Sequence, residues 1–166
     1  MTALEGERVR LREIEAQDVP ALRAIAASEE VSRWWGPTDE RFPFDDDVQP
    51  FTIVVDGEVV GLIQFSEEKE PDYRHASVDV LVEPRMHGQG IGTDAVATLA
   101  RQLIEVRGHH RLTIDPAADN AAAIRCYEKV GFRHVGRTRL SWRDPDGRWR
   151  DGVLMELVVE PTPSPG

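Results

Sequence analysis

The chain has 166 residues, 40% of them hydrophobic and 30% charged, which suits one domain built around a single core. Its formal net charge of −10 opposes nucleic-acid binding, which depends on cationic side chains meeting phosphates, and favours a cationic partner through steering. No apolar run approaches the ~20 residues that span a bilayer, and a single cysteine, Cys126, excludes an intramolecular disulfide framework. The opening "MTALEGERVR" lacks the basic-then-apolar order of a secretory signal, so a cytoplasmic protein away from membranes is expected.

"RVRLREI" alternates Val9 and Leu11 with charged neighbours and predicts a strand. Asp18 stands where a helix N-cap would, before "VPALRAIAAS", which puts Leu22, Ile25 and Ala26 on one face. "EEVSRWWGPTDERFPFDDDVQP" predicts a short helix and a long loop, and loops of that length in compact domains are usually functional. "FTIVVDGEVVGLIQF" predicts a hairpin about Asp56 and Gly57. "HASVDVLVEP" is a strand with Ala76, Val78, Val80 and Val82 on one face and Ser77, Asp79, Leu81 and Glu83 on the other.

A glycine-rich turn then leads into "TDAVATLARQLIEVRG", a helix whose stripe of Val96, Leu99, Ala100, Leu103 and Val106 ends at Gly108. "HRLTID" is a short strand. "DNAAAIRCYEKVGF" is a helix starting at Asp119 or Asn120 and ending at Gly131, with Ala123, Cys126, Tyr127 and Val130 on one face. A hairpin around "DPDG" closes the domain, which covers residues 1–160. The Pro-rich residues 161–166 are expected to be a disordered tail. Seven strands and about four helices, with hairpin and crossover connections mixed, predict an α/β fold on a mixed sheet.

In "EPRMHGQGIGTDA", Gly88, Gly90 and Gly92 let the backbone turn sharply and approach a ligand. With the start of the following helix they predict an anion site suited to a pyrophosphate. Gly90, Gly92 and Ala95 match the spacing of the dinucleotide fingerprint, but that motif opens the first βαβ unit of a larger parallel sheet, and here several strands precede it. A Walker A loop is excluded because no Lys-Ser/Thr pair follows Gly92. Taken alone, Tyr127 is a core residue whose hydroxyl is satisfied at the edge. Asp79 is likewise an outward polar residue of an alternating strand.

The turn "HGQGIG", His87 to Gly92, resembles the coenzyme A loop of the GCN5-related N-acetyltransferases, Q/R-x-x-G-x-G/A, with His87 in place of the usual Gln or Arg. Asn120, Ala123 and Tyr127 match that family's second motif, N-x-x-A-x-x-x-Y, and the order of elements is the family's as well. The resemblance implies a sheet whose fourth and fifth strands splay apart around acyl-CoA. Val80, Leu81 and Val82 would then offer backbone to the pantetheine arm and the acetyl carbonyl. His87, Gly88, Gln89, Gly90, Ile91, Gly92 and Thr93 would hold the pyrophosphate, with Asn120 and Ala123 beside it. It further implies Tyr127 as the acid that protonates the departing thiolate. A carboxylate, Asp79 with Glu83 as the alternative, would accept the amine's proton.

"IDPAADNAAAIRCYEKVGF" and "VSRWWG" resemble, more narrowly, the aminoglycoside 6′-N-acetyltransferases, although the segment between "QF" and "SVDV" is shorter here. That resemblance implies an aminoglycoside as the cationic amine, contacted by Trp34, Trp35, Asp79 and Asp115, with antibiotic resistance as the outcome. The acidic runs "DERFPFDDD" and "EEKEPD" are either solvated faces or partners for its ammonium groups. A siderophore precursor, a polyamine or a protein N-terminus is the alternative acceptor, and a non-catalytic acyl-CoA- or antibiotic-binding module the alternative class. No metal is expected, because no His or Cys has partners at ligand spacing. The protein is expected to be a monomer or a homodimer.

Overall fold

The computed structural model describes residues 2–161; the tail expected at 161–166 lies almost wholly outside them. Eight strands among these residues form one sheet. β1 (Leu4–Glu5), β2 (Arg10–Arg12), β3 (Gln49–Val55), β4 (Glu58–Glu68) and β5 (His75–Val82) follow one another antiparallel. β6 (Arg111–Ile114) joins β5 in parallel, and β8 (Trp149–Val158) lies between β6 and the edge strand β7 (Arg133–Arg143). The strand beyond the expected seven is β1, two residues too short for any alternation to reveal. Asp56 (φ 50°) and Gly57 (φ 79°) both adopt the left-handed conformation that a two-residue hairpin loop needs.

The two faces of the sheet bury different sets of side chains, as strand alternation requires. α3 (Ile91–Glu105) and α4 (Ala121–Val130) cover one face, where Val78 meets Val96, Leu99 and Tyr127. α1 (Val19–Ala27) and α2 (Glu29–Trp35) cover the other, where Leu81 packs with Leu22, Ile25 and Val31. Val106, expected on the buried stripe of α3, lies past the helix end and is exposed. No helix among the described residues is long and apolar enough to cross a membrane.

Asp18 is not the side-chain cap that its position suggests. Its carboxylate is buried and accepts from Arg12 Nη1 (2.7 Å) and Nη2 (3.0 Å), the Glu15 N–H (2.8 Å) and the Thr52 hydroxyl (3.0 Å). The bond from Arg12 is the main reason its pKa lies below the ordinary carboxylate value. One side chain thus ties β2 and β3 to the start of α1, and removing one partner of such a buried pair costs about 3–5 kcal/mol.

β5 and β6 pair only through Ala76–Leu112 and Ser77–Thr113, where the two hydroxyls hydrogen-bond at 2.7 Å. Past that point the strands diverge, and among the described residues Val78 to Val82 have no strand partner on this side. Counted without β1, these are the fourth and fifth strands, the pair expected to splay.

Candidate active site

The divergence opens a cleft of about 500 Å³ that passes from one face of the sheet to the other. α2 supplies one end, the free edge of β5 the wall, and the glycine turn with α4 the other end.

At the turn, Gly88 (φ 77°) and Gly90 (φ 79°) adopt left-handed backbone that disfavours any side chain. Gly92 does not: it lies in α3, and a Cβ there would meet only Cys126 Sγ at 3.6 Å and Val82 Cγ2 at 3.9 Å. Ile91, Gly92 and Thr93 belong to the first helical turn, so their N–H groups have no intrahelical acceptor. The first bond of α3 runs from the Asp94 N–H to the Gly90 carbonyl. His87 Nε2 lies 2.7 Å from the Val82 carbonyl, closing the turn back onto the strand. Gln89 stands apart from the cleft: its amide nitrogen donates to the Arg85 carbonyl.

An anionic ligand fits this end. Free N–H groups face it, and Arg125 and Lys129 of α4 add positive charge. The nearest carboxylate on α3, Asp94, is turned onto the backbone N–H groups of Glu7, Arg8 and Val9. Asn120 and Ala123 lie alongside; the Asn120 side-chain oxygen caps α4 by accepting from the Ala123 N–H at 3.3 Å. Cys126 lines the cleft and accepts from Thr93 Oγ1 at 3.2 Å, with its pKa raised by burial.

Tyr127, Asp79 and Asp115 all line the cleft, near enough for the two carboxylates to act on the ionisation of the phenol. The Tyr127 ring is buried, edge-on to Phe132 with centroids 6.3 Å apart, and its hydroxyl makes no hydrogen bond among the described residues. Burial, with the nearby charges of Cys126, Asp79 and Asp115, raises its pKa far above that of a free phenol, so it stays protonated at neutral pH.

Asp79 lies on the Leu81 face of β5, opposite Gln64 of β4. By surface area it is open to the cleft, yet protein atoms crowd the carboxylate from the walls. Its ionisation follows that crowding, because hydration of a charge depends on the surrounding volume as well as on the exposed surface. Desolvation first, then the charge of Asp115, pushes its pKa up to about 6, against a hydrogen bond from Gln64. Desolvation raises Asp115 as well. Glu83, the alternative base, is bound by Arg85 at 2.8 Å and does not line the cleft.

α2 brings Trp34 and Trp35 to the same end as Asp79. Trp34 packs against Trp142 of β7 (6.2 Å) under the Arg33 guanidinium (4.7 Å), and Trp35 meets Phe42 edge-on. No residue of either acidic run lines the cleft. Asp39 turns back on the N–H groups of Arg41 and Phe42, and Glu67, opposite Ala76 at the start of β5, pairs with Arg107 and His109. The acid missed from the sequence is Glu30, one helical turn before Trp34 and on the same face. Arg125 and Lys129 were equally visible as an i, i+4 pair flanking Tyr127.

An aminoglycoside N(6′)-acetyltransferase type 1 of Klebsiella pneumoniae is 27% identical to this chain, over 86% of this chain and 80% of that one. A spermidine N(1)-acetyltransferase of Escherichia coli (strain K12) is 24% identical, over 89% and 84%. Among solved structures, Mycobacterium smegmatis RimJ in complex with CoA-disulfide superposes with a TM-score of 0.82 at 22% identity, covering 95% of this chain and 87% of that one. AAC(6′)-Ib in complex with paromomycin and acetyl-CoA superposes at 0.74 and 27% identity, covering 92% and 94%. The model of the acetyltransferase (GNAT) family matches residues 9–132. With its splayed sheet and glycine turn at the mouth of the cleft, this chain belongs to the GNAT family of acetyltransferases.

Proposed function

We propose that the protein transfers an acetyl group from acetyl-CoA to a primary amine of an aminoglycoside, the 6′-amino group first. The observation that carries this is the acceptor end of the cleft, where Glu30, Asp79 and Asp115 gather beside Trp34 and Trp35. Several carboxylates lining one cleft suit an acceptor bearing several ammonium groups, and an indole face suits the apolar face of a sugar ring. Similarity to an aminoglycoside acetyltransferase over most of both chains supports the same reading.

Bound acetyl-CoA supplies the thioester carbon that the amine attacks. The N–H groups from Gly90 to Thr93 bind its pyrophosphate, and Arg125 and Lys129 balance the charge. The free edge of β5 orients the pantetheine arm. Asp79 takes a proton from the acceptor ammonium, which is not nucleophilic while charged. Asp115 holds the neighbouring ammonium and keeps Asp79 basic by its own negative charge. Tyr127 keeps its hydroxyl proton until the sulfur leaves, then donates it.

The test is release of free thiol from acetyl-CoA with a panel of amines: kanamycin, tobramycin, spermidine, free amino acids and a peptide N-terminus. Turnover with the first two at the highest kcat/KM is expected. Turnover confined to spermidine or to the peptide removes the aminoglycoside, and no turnover with any amine removes the enzyme reading.

A further inference from the structure

The glycine turn is built against a segment far from it in sequence. Glu7, Arg8 and Val9 connect β1 to β2, and their three peptide N–H groups donate to the carboxylate of Asp94 at 3.0, 2.8 and 2.9 Å. Asp94 lies in the first turn of α3, whose N-cap is Gly90. The fit is close: a Cβ on Gly6 would lie 2.6 Å from Thr98 Oγ1 and 2.7 Å from Asp94 Oδ1. Held in this way, Arg8 reaches the turn, and its Nη1 donates to the Gln89 carbonyl at 3.0 Å.

The Gln89 carbonyl and the Gly90 N–H belong to one trans peptide and point in opposite directions. A carbonyl fixed outward by Arg8 therefore aims the Gly90 N–H toward the cleft, which Gly90 lines and Gln89 does not. Gly90 carries no side chain that would hold the peptide plane by packing, and nothing lies within 4 Å of where its Cβ would be. The plane needs an external restraint, and Arg8 is placed to provide it.

We propose that Arg8, delivered by Asp94, is a positioning residue for the phosphate-binding turn, setting the Gln89–Gly90 peptide so that its N–H meets the pyrophosphate of the acyl donor. The proposal rests on the reading of this turn as the coenzyme A site. Asp94 has a double aspect: its charge alone, in the first turn of α3, would repel an anion. Tying down Glu7 to Val9 both occupies its oxygens and presents Arg8.

The experiment compares CoA, bound through its pyrophosphate, with S-acetylpantetheine, which has none. CoA affinity is measured by titration calorimetry on the full chain, and kcat/KM is measured with acetyl-CoA and with S-acetylpantetheine. Arg8→Ala is expected to weaken CoA binding roughly tenfold, the worth of one charge-assisted hydrogen bond, while its kcat/KM for S-acetylpantetheine changes less than about twofold. Arg8→Lys, which retains a donor, recovers part of the loss. Asp94→Asn also weakens CoA if delivery of Arg8 matters, but strengthens it if the carboxylate acts by charge alone. S-acetylpantetheine turnover in the same samples shows whether each variant is folded. Wild-type CoA affinity in Arg8→Ala, equal losses with both donors, or tighter CoA binding by Asp94→Asn each overturns the proposal. A wild-type protein that does not bind CoA overturns the coenzyme A reading itself.

Discussion

Burial raises the pKa of both Tyr127 and Asp79, with different consequences. It keeps the Tyr127 phenol protonated at every working pH but makes it a weaker acid, so its proton passes only to the strongly basic thiolate as the sulfur leaves, whereas a carboxylate at about 6 is mostly ionised at neutrality and still basic enough to accept a proton. Tyr127→Phe is expected to lower kcat about 100-fold while CoA affinity in calorimetry hardly changes; an unchanged kcat removes the hydroxyl from the mechanism. For Asp79 the sign follows from the raised value. The base form is lost as pH falls through about 6, so wild-type kcat/KM should decline tenfold per pH unit below that point. Asp79→Asn should lose this limb and keep only the limb set by the acceptor amine at higher pH. If the two pH profiles coincide, Asp79 is not the base. The face Asp79 occupies was legible from the alternation of β5, and the helical position of Tyr127 from the stripe of α4. Their shared environment was not legible, because it arises where two strands separate.

At the scale of elements, a cluster outside the cleft holds the loop after α3 to β4. Glu67 of β4 accepts from Arg107 and from His109, whose ring is buried with Nδ1 unpartnered among the described residues. Arg107, and then His109, hold the Glu67 pKa down to about 2 from an ordinary 4.5. A depressed carboxylate contributes stability above its unfolded pKa and loses it as pH falls toward its folded one. The contribution should therefore be complete above about pH 4.5 and decay toward pH 2. In urea unfolding, Glu67→Gln is expected to cost roughly 1–3 kcal/mol at pH 7. The gap between variant and wild type should close between pH 4.5 and 2, and parallel curves would mean the cluster is idle. "EEKEPD" showed only an acidic run; that one of its members would be consumed by Arg107 and His109 depends on register between β4 and the loop. Asp18 was misread for the same reason, its cap position being local and its partner Thr52 lying on β3. Where local chemistry decides, as at Asp56-Gly57 and at Gly88 and Gly90, the backbone takes the left-handed conformation that the sequence suggests, whereas Gly92 is already part of α3.

Across the whole molecule, charge is divided rather than uniform. Six arginines and two aspartates lie between residues 133 and 150, so the rest of the chain is more acidic than its net charge of −10 conveys. The cleft repeats the division, with Arg125 and Lys129 at the turn and Glu30, Asp79 and Asp115 at the acceptor end. An acceptor with several ammonium groups meets an attractive field before it touches the protein, and its gain grows with its charge. Salt screens that field over about 10 Å at 0.1 M, so at saturating acetyl-CoA the kcat/KM for tobramycin should fall roughly five- to tenfold between 50 and 500 mM NaCl. A monocationic amine of similar reactivity should lose less than about twofold over the same range, because it has a single charge to screen. Equal slopes for the two acceptors would show that the acidic end of the cleft does not count charges. The acceptor class would then have to be set by the shape of the Trp34 and Trp35 wall.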